Sequence, residues 1–323
     1  MANLVITKFC QRHCEYCFTP SEWRELISPE QGMMTLDEFD EACAFLRGGD
    51  RPSLSLLGGE PTTHPQFPLF VDHALSAGFA VRVVTNGEIP AQHLVRLCRF
   101  DRDQVTLLVN LSSNIRGVVH LTPRQRNTLK QAGSLISLSF TIGQEQPDVS
   151  SWIDLVTTYG LHPHIRIGIA HPSPRMQNRS LLPRDRYRVG ETLVQIARQL
   201  DEKGINLGLD CGLTPCMFTE DSWQELRRLS AHSSFACGPI PDIGPGLEAW
   251  HCFPLYDLGH CKLTDFATLA EVNAWLSGLT AAYRLIGIRE ECISCPYQLR
   301  KECSGGCLGH VIASFDQPDR LRA

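Results

Sequence analysis

The sequence predicts an α/β protein in which repeated strand–helix units precede a cysteine-rich segment. Two observations support this prediction. The first two thirds of the 323 residues alternate short apolar runs with amphipathic stretches, and nine of the 14 cysteines lie between positions 211 and 307. Hydrophobic residues make up 43% and charged residues 20% of the chain, which is typical of a protein that buries a core.

Six short apolar runs have the composition of buried strands. They are Leu4–Thr7, Leu54–Leu57, Val81–Thr85, Val105–Asn110, Leu138–Ile142 and His164–Ile169. Amphipathic stretches between them include Leu36–Leu46, Phe67–Ala77 and Ser150–Tyr159. Alternation at this spacing indicates parallel strands with right-handed crossovers. The units predict either an open, partial barrel or a doubly wound sheet, and in both the functional loops lie beyond the carboxyl ends of the strands.

A change of character divides the chain into two predicted domains, residues 1–210 and 211–323. A long helix is expected over about Arg184–Lys203, followed by a strand at Asn206–Asp210. From Cys211 onward the chain is rich in Cys, Gly and Pro, with one clear helix near Leu269–Leu279.

Charge and hydropathy exclude several classes of protein. A net charge of −5 and a pI near 6.2 argue against general nucleic-acid or anionic-membrane binding. No apolar run reaches the roughly 18 residues that span a bilayer, and the N-terminus lacks a signal-peptide pattern. We expect a cytoplasmic protein, in which clustered cysteines bind metal or do redox chemistry. Isolated Cys43 and Cys98 are expected to be small buried residues on helices.

The first cysteine cluster directly follows the first predicted strand. Cys10, Cys14 and Cys17 lie in CQRHCEYC, with the spacing C-x3-C-x2-C. Three thiolates on one loop suit a cubane cluster and leave one iron without a protein ligand. A zinc or redox site is the alternative, although structural zinc would need a distant fourth ligand.

A second motif stands at the end of the second strand, where Gly58–Pro61 read GGEP. Glycines let backbone approach a ligand closely, and a carboxylate can receive an ammonium group. Together with the first cluster and Tyr16 before its last cysteine, this motif resembles those of the radical SAM superfamily. The resemblance implies a partial (β/α)6 TIM-like barrel with a [4Fe–4S] cluster on Cys10, Cys14 and Cys17.

The resemblance also implies a cradle for S-adenosylmethionine. The positions that match cofactor contacts of the family are Tyr16, Gly58, Gly59, Glu60, Pro61, Thr85, Asn86, Asn110, Ser112 and Arg166. Family enzymes cleave the cofactor reductively and use the 5′-deoxyadenosyl radical to take hydrogen from a substrate. An iron–sulfur electron carrier is the non-enzyme alternative, although a carrier needs no cofactor cradle.

The C-terminal cysteines resemble the SPASM extension of radical SAM enzymes, which holds auxiliary iron–sulfur clusters. The pattern cysteines are Cys237, Cys252, Cys292, Cys295, Cys303 and Cys307. The sequence departs from the family pattern in two main ways. Seven residues instead of five separate Cys295 from Cys303, and no cysteine follows Cys307.

The resemblance implies that Cys237, Cys252 and Cys307 share one cluster, and that Cys292, Cys295 and Cys303 share another. The fourth ligands stay open among Cys211, Cys216 and Cys261, with His310 a further option. Structural zinc is the alternative metal. Cys211 or Cys216 could instead donate a hydrogen atom to a substrate radical.

Enzymes with a SPASM extension mostly modify peptides, so the resemblance implies a ribosomal peptide as substrate. The first barrel strand already begins at Leu4. We therefore expect a separate protein to deliver the leader peptide, for crosslinking, splicing or a related maturation. A reductant of the flavodoxin or ferredoxin type is also implied. A small-molecule radical SAM oxidoreductase or epimerase is the alternative enzyme.

Overall fold

Eleven strands form a single sheet in the described part of the chain. The structure is a computed structural model that describes residues 2–28, 30, 32–47, 52–112, 119–143, 147–173, 178–231 and 235–316. The strands are β1 (Ala2–Thr7), β2 (Ser53–Gly58), β3 (Ala80–Thr85), β4 (Val105–Asn110), β5 (Ile136–Ile142), β6 (His164–Ile169), β7 (Asn206–Leu209), β8 (Ser230–Ala231), β9 (Asp242–Gly244), β10 (Glu248–Trp250) and β11 (Cys261–Lys262).

The α-helices lie mainly between the strands. They are α1 (Ser21–Arg24), α2 (Leu36–Leu46), α3 (Phe67–Ser76), α4 (Ala91–Leu97), α5 (Pro123–Ala132), α6 (Val149–Thr158), α7 (Arg186–Asp201), α8 (Glu220–Leu229), α9 (Leu269–Thr280), α10 (Pro296–Leu299) and α11 (Leu308–Asp316). Short 3-10 turns join several of them.

The sheet order distinguishes a partial barrel from a doubly wound sheet. Strands β1 to β8 pair in chain order and all in parallel. A doubly wound sheet would instead reverse its order at a switch point. The prediction of an α/β fold with a partial barrel is therefore confirmed. Loops that follow β1 to β7 consequently open at one end of the barrel, where the predicted site residues cluster.

The cysteine-rich segment extends the same sheet beyond β1. Strand β9 pairs in parallel with β1, and β10 and β11 continue outward as antiparallel strands. The two predicted domains thus share one sheet, and their division at residue 210 stays a prediction. Residue 1 of the first domain and residues 317–323 of the second lie outside the described residues.

Helix α2 illustrates how the sequence produces these elements. Thr35 caps it through a reciprocal pair of hydrogen bonds with Glu38, so two free backbone donors of the first turn are satisfied. Phe39, Cys43 and Leu46 recur at helical spacing and are buried against the sheet. The expectation for Cys43 is confirmed.

The structure corrects the expectation for Cys98, which is exposed at the C-terminal end of α4, with its Sγ 3.6 Å from the Gln131 carbonyl oxygen. It lies one residue beyond the apolar face that buries Leu94 and Leu97. In the part of the chain that the structure describes, no helix is long and apolar enough to cross a membrane.

Candidate active site and cysteine clusters

The loop after β1 brings the first three cysteines together. The Cys17 backbone N–H donates to the Cys14 carbonyl oxygen at 3.1 Å, and the Arg12 N–H donates to Cys10 Sγ at 3.4 Å. The pKa of Cys10 is raised to about 12, mainly by burial and further by the charges of Glu60, Cys14 and Cys17, against the lowering effect of the Arg12 hydrogen bond. Cys14 and Cys17 raise the pKa of Cys10 because the three side chains lie close together. Three sulfurs on one loop can therefore bind a cluster that stabilises their thiolate form.

The GGEP loop is joined to the cysteine loop by backbone hydrogen bonds. The Gly59 N–H donates to the Thr7 carbonyl oxygen at 2.9 Å, and the Glu60 N–H donates to the Phe9 carbonyl oxygen at 2.8 Å. A Cβ at Gly59 would lie 2.2 Å from that Phe9 oxygen, which is closer than any real contact. Glycine is thus required for the ends of β1 and β2 to approach each other.

The Glu60 carboxylate is buried and connects the ends of β2 and β3. Its Oε1 accepts from the Thr62 N–H at 3.2 Å, the Thr62 hydroxyl at 2.7 Å and the Thr85 hydroxyl at 2.7 Å. Its Oε2 accepts from the Asn86 N–H at 2.7 Å. Burial raises the pKa of Glu60, while these hydrogen bonds lower it. Oε2 accepts one bond among the described residues, so a carboxylate lone pair stays available for an ammonium donor.

Side chains at the ends of β3 and β4 face the cysteine loop. The Tyr16 and Ser112 hydroxyls are 2.8 Å apart, and Ser112 Oγ lies 3.7 Å from Cys14 Sγ. Asn86 Nδ2 lies 3.9 Å from Cys10 Sγ. The Oδ1 atom of Asn110 is buried and has no hydrogen-bond partner among the described residues. Since buried polar atoms are normally paired, this oxygen fits a ligand donor at the site.

Pro61 begins the short turn after the motif and is buried. Arg166, expected to meet the cofactor carboxylate, has a carboxylate partner within the protein. Its Nη2 lies 2.6 Å from Asp210 Oδ1, and both side chains are about one third exposed (34% each). A role of Arg166 toward a cofactor stays a prediction.

A first group of four C-terminal cysteines forms beyond the ends of β6 and β7. Burial raises the pKa of Cys252 well above its ordinary value, and the charges of Cys307, Cys237 and Cys211 raise it further. The pKa values of Cys237 and Cys211 are likewise raised by burial, with Cys307 among the further causes. The expected trio of Cys237, Cys252 and Cys307 is thus brought together, and Cys211 joins it.

Two buried histidines border this first group. His171 Nε2 lies 3.7 Å from Cys211 Sγ. Ligand atoms of His171, Cys307 and His310 all lie within 4.8 Å of one another. His310 Nε2 lies 2.7 Å from the Leu181 carbonyl oxygen, so it carries the proton and leaves Nδ1 as the acceptor. His310 is therefore a buried neighbour of the cysteines rather than a surface residue.

A second group of four cysteines lines one cavity of about 320 Å³, namely Cys216, Cys292, Cys295 and Cys303. Burial raises the pKa of Cys292, with the charges of Cys216 and Cys295 as further causes. Burial also raises the pKa of Cys303, with Cys216 and Cys292 as further causes. The expected trio is again brought together, and it is joined by Cys216.

Cys261 is the candidate ligand that the structure does not bring into either group. It lies on β11, where its Sγ is 3.8 Å from the carbonyl oxygen of Ala249 on β10. Burial raises the pKa of Cys261, and the charge that raises it further belongs to Asp265 rather than to another cysteine. Pairing of β10 with β11 holds this cysteine at the edge of the sheet, and its role as a ligand stays a prediction.

Arg186, which the sequence did not lead us to predict, lies between the two cysteine groups. It is 2% exposed, and its Nη1 donates to the Gly212 carbonyl oxygen at 2.9 Å. Burial lowers its pKa, whereas Cys307 of the first group and Cys216 of the second, followed by Cys303 and Cys292, raise it. Its Nε and Nη2 have no hydrogen-bond partner in the described ranges. A buried cation with free donors fits an anionic group on each side.

Two further positions near the cysteine loop escaped sequence reasoning. His171 comes two residues after β6, and a polar residue just beyond a parallel strand is a signal that could have indicated it. Asn178 Nδ2 donates to the Tyr16 carbonyl oxygen at 3.1 Å and the His171 carbonyl oxygen at 2.7 Å. No local pattern distinguishes Asn178, because its partners are distant in sequence.

Comparison with known proteins agrees with this geometry. The profile described as the Radical SAM superfamily matches residues 4–132. An S-adenosylmethionine-dependent nucleotide dehydratase from Selenomonas ruminantium is 29% identical over 87 residues, 27% of this chain and 30% of the relative. A tungsten-containing aldehyde ferredoxin oxidoreductase cofactor-modifying protein from Pyrococcus furiosus is 27% identical over 165 residues, 48% and 43% of the two chains. The chain thus spans less than half the length of these curated relatives.

Two solved structures resemble the fold over nearly the whole chain. Streptococcus suis SuiB bound to S-adenosylmethionine superposes with a TM-score of 0.69 at 14% identity, covering 96% of this chain and 73% of SuiB. The enzyme anSMEcpe with bound AdoMet superposes with a TM-score of 0.66 at 14% identity, covering 95% and 85%. At this identity the likeness concerns the fold. The profile match shows a radical SAM segment over residues 4–132, and the two superpositions show a shared fold over nearly the whole chain.

Proposed function

We propose that this protein cleaves S-adenosylmethionine reductively on a [4Fe–4S] cluster held by Cys10, Cys14 and Cys17. One observation carries the proposal. The three-cysteine loop, the glycine approach at Gly59 and the unpartnered Asn110 Oδ1 lie together at the carboxyl ends of β1 to β4. This is the end of a parallel barrel where ligands bind. The residues present fit a cluster with one open iron.

The chain's own residues hold and orient the cofactor in this proposal. The free lone pair of Glu60 Oε2 accepts the methionyl ammonium, and Asn110 Oδ1 accepts a donor of the nucleoside. The Tyr16–Ser112 hydrogen bond fixes the end of β4 against the cysteine loop. Burial of Glu60 and of Asn110 Oδ1 keeps water from these two acceptors. When bound, the reduced cluster supplies the electron that splits the sulfur–C5′ bond and yields a 5′-deoxyadenosyl radical.

Reductive cleavage is tested on anaerobically reconstituted protein with dithionite and S-adenosylmethionine. We expect 5′-deoxyadenosine and methionine from the unmodified chain. Cys14→Ala should abolish both products, whereas the matched control Cys98→Ala should not. Absence of 5′-deoxyadenosine from the unmodified chain with its iron fully loaded would refute the proposal.

A ribosomal peptide is the substrate that we propose for the radical. The fold likeness to SuiB, which has been solved bound to its precursor peptide SuiA, supports a peptide at the open end of the barrel. The likeness to anSMEcpe supports the same fold assignment. The proposal includes maturation by crosslinking, splicing or a related reaction, a separate leader-binding protein, and a flavodoxin- or ferredoxin-type reductant.

A small-molecule substrate is the second candidate, supported by the 29% identity to a nucleotide dehydratase within the barrel segment. The peptide and small-molecule proposals are distinguished by adding substrates to the cleavage assay. The candidates are short peptides encoded beside the gene and a panel of nucleotides. We expect a peptide to raise 5′-deoxyadenosine formation and to change its own mass. Stimulation by a nucleotide, with no modified peptide, would contradict the peptide proposal while leaving the cleavage proposal intact.

A further inference from the structure

The second cysteine group contains four thiols although the C-terminal sequence pattern supplies three. Cys292, Cys295 and Cys303 come from the segment before α11, and the structure describes no cysteine after Cys307. Cys216 comes from the 3-10 turn Pro215–Met217, which follows β7. All four line the same cavity of about 320 Å³. The barrel end therefore supplies the fourth thiol of this cavity.

We propose that Cys216 is the fourth ligand of a [4Fe–4S] cluster on Cys292, Cys295 and Cys303. Four thiolates complete the coordination of a cubane. The cluster would then covalently join the barrel end to the cysteine-rich segment. The choice of iron and sulfide rests on the proposed function, whereas the four-thiolate site itself rests on the cavity.

The four thiols border one cavity, which favours a cluster over a single zinc ion. Zinc binds thiolates at about 2.3 Å, so its ligand sulfurs lie within about 4.6 Å of one another. Within the described residues, the metal-ligating side chains found that close are His171, Cys307 and His310, and no three sulfurs of the second group are among them. A cavity of this volume that is lined by four thiols has room for a cluster of several metal ions.

Surrounding residues also favour a charged cluster at this place. The Gly305 N–H donates to Cys303 Sγ at 3.3 Å, and the Thr214 hydroxyl lies 3.2 Å from Cys216 Sγ. Hydrogen bonds to sulfur stabilise the negative charge of a thiolate-bound cluster. Arg186 is buried, and its Nη1 lies 2.9 Å from the Gly212 carbonyl oxygen and 3.9 Å from Met217 Sδ, which neighbour Cys211 and Cys216 in the chain. Its Nε and Nη2 are unpartnered among the described residues. A complete anionic cluster would balance that cation.

Cys211 and Cys216 therefore have separate roles. Cys211 lies beside His171 and the first group, and Cys216 lies in the cavity of the second. A Cys216 thiolate bound to iron cannot donate a hydrogen atom to a substrate radical.

The first test counts iron in the full chain with Cys10, Cys14 and Cys17 all replaced by Ala. This background lacks the cofactor-binding cluster, so the count does not depend on whether S-adenosylmethionine is cleaved. We expect about eight irons per chain, since two four-iron clusters remain. Adding Cys216→Ala should remove about four irons or convert one cluster to a three-iron form with a distinct Mössbauer spectrum. The matched control Cys261→Ala should change neither.

An unchanged count and spectrum in the Cys216→Ala chain would overturn the proposal.

The second test needs no variant. Cys216 and Cys98 are both exposed, so iodoacetamide should modify both in protein from which metal has been removed. In the unmodified holoprotein we expect Cys216 to react at least about tenfold more slowly and Cys98 to react as before. Equal rates in the holoprotein, or one zinc in place of four irons, would refute the cluster.

Discussion

Replacing Glu60 with Gln tests whether its carboxylate supports the fold as well as the cofactor. The carboxylate accepts four hydrogen bonds, three at Oε1 and one at Oε2. A glutamine amide keeps one oxygen for Thr62 and Thr85, but its NH2 group then faces the Asn86 N–H. One partly buried backbone donor loses its acceptor, which costs about 1–3 kcal/mol.

The expected loss of folding stability can be measured as a fall in the midpoint of thermal unfolding. At roughly 2–4 °C per kcal/mol for a chain of this order of size, the Glu60→Gln chain should unfold about 2–12 °C below the unmodified chain. Circular dichroism without S-adenosylmethionine separates this loss from any effect on cofactor binding. The control is Glu41→Gln, an exposed position on α2, which should leave the midpoint unchanged. A Glu60→Gln midpoint within about 1 °C of the unmodified chain would refute the reasoning.

Three further predictions concern buried polar groups. Burial raises the pKa of Asp242 to about 7, so the folded chain keeps a proton that the unfolded chain releases above about pH 4. Stability should fall as pH rises from about 4 to 7, by up to about 1.4 kcal/mol per pH unit, and urea midpoints should lose this dependence in Asp242→Asn. Arg186→Gln should lower the midpoint potentials of the two proposed auxiliary clusters by on the order of 50–100 mV in an EPR redox titration, whereas exposed Arg198→Gln should not. Asn110→Ala should weaken S-adenosylmethionine binding about tenfold in equilibrium dialysis, and an unchanged Kd would exclude Asn110 from the cradle.

Strands and long helices were predictable because their periodicity is local. The six predicted barrel strands agree with β1 to β6 to within about two residues, and α2 matches its predicted bounds. The expected helix at Arg184–Lys203 begins two residues later, after a 3-10 turn over Pro183–Asp185. Helices α5 and α8 escaped prediction because they are mostly polar, and few apolar residues mark their buried face.

The cysteine groups were only partly predictable, because they depend on contacts between distant segments. Spacing alone could not choose among Cys211, Cys216 and Cys261, since β7 and β11 lie at opposite ends of the sheet. Arg186 carried a signal that was missed. It lies at helical spacing with buried Val189, Gly190 and Leu193 on α7, so an arginine stands in an apolar stripe.

Direct contact between S-adenosylmethionine and the first cluster is the central claim of this account. Electron–nuclear double resonance on the reduced protein, with 15N in the methionyl amine, measures that contact. We expect a strong 15N coupling in the unmodified chain and in Cys216→Ala, because both retain Cys10, Cys14 and Cys17. A reduced, fully loaded protein that binds the labelled cofactor without any 15N coupling would contradict the claim.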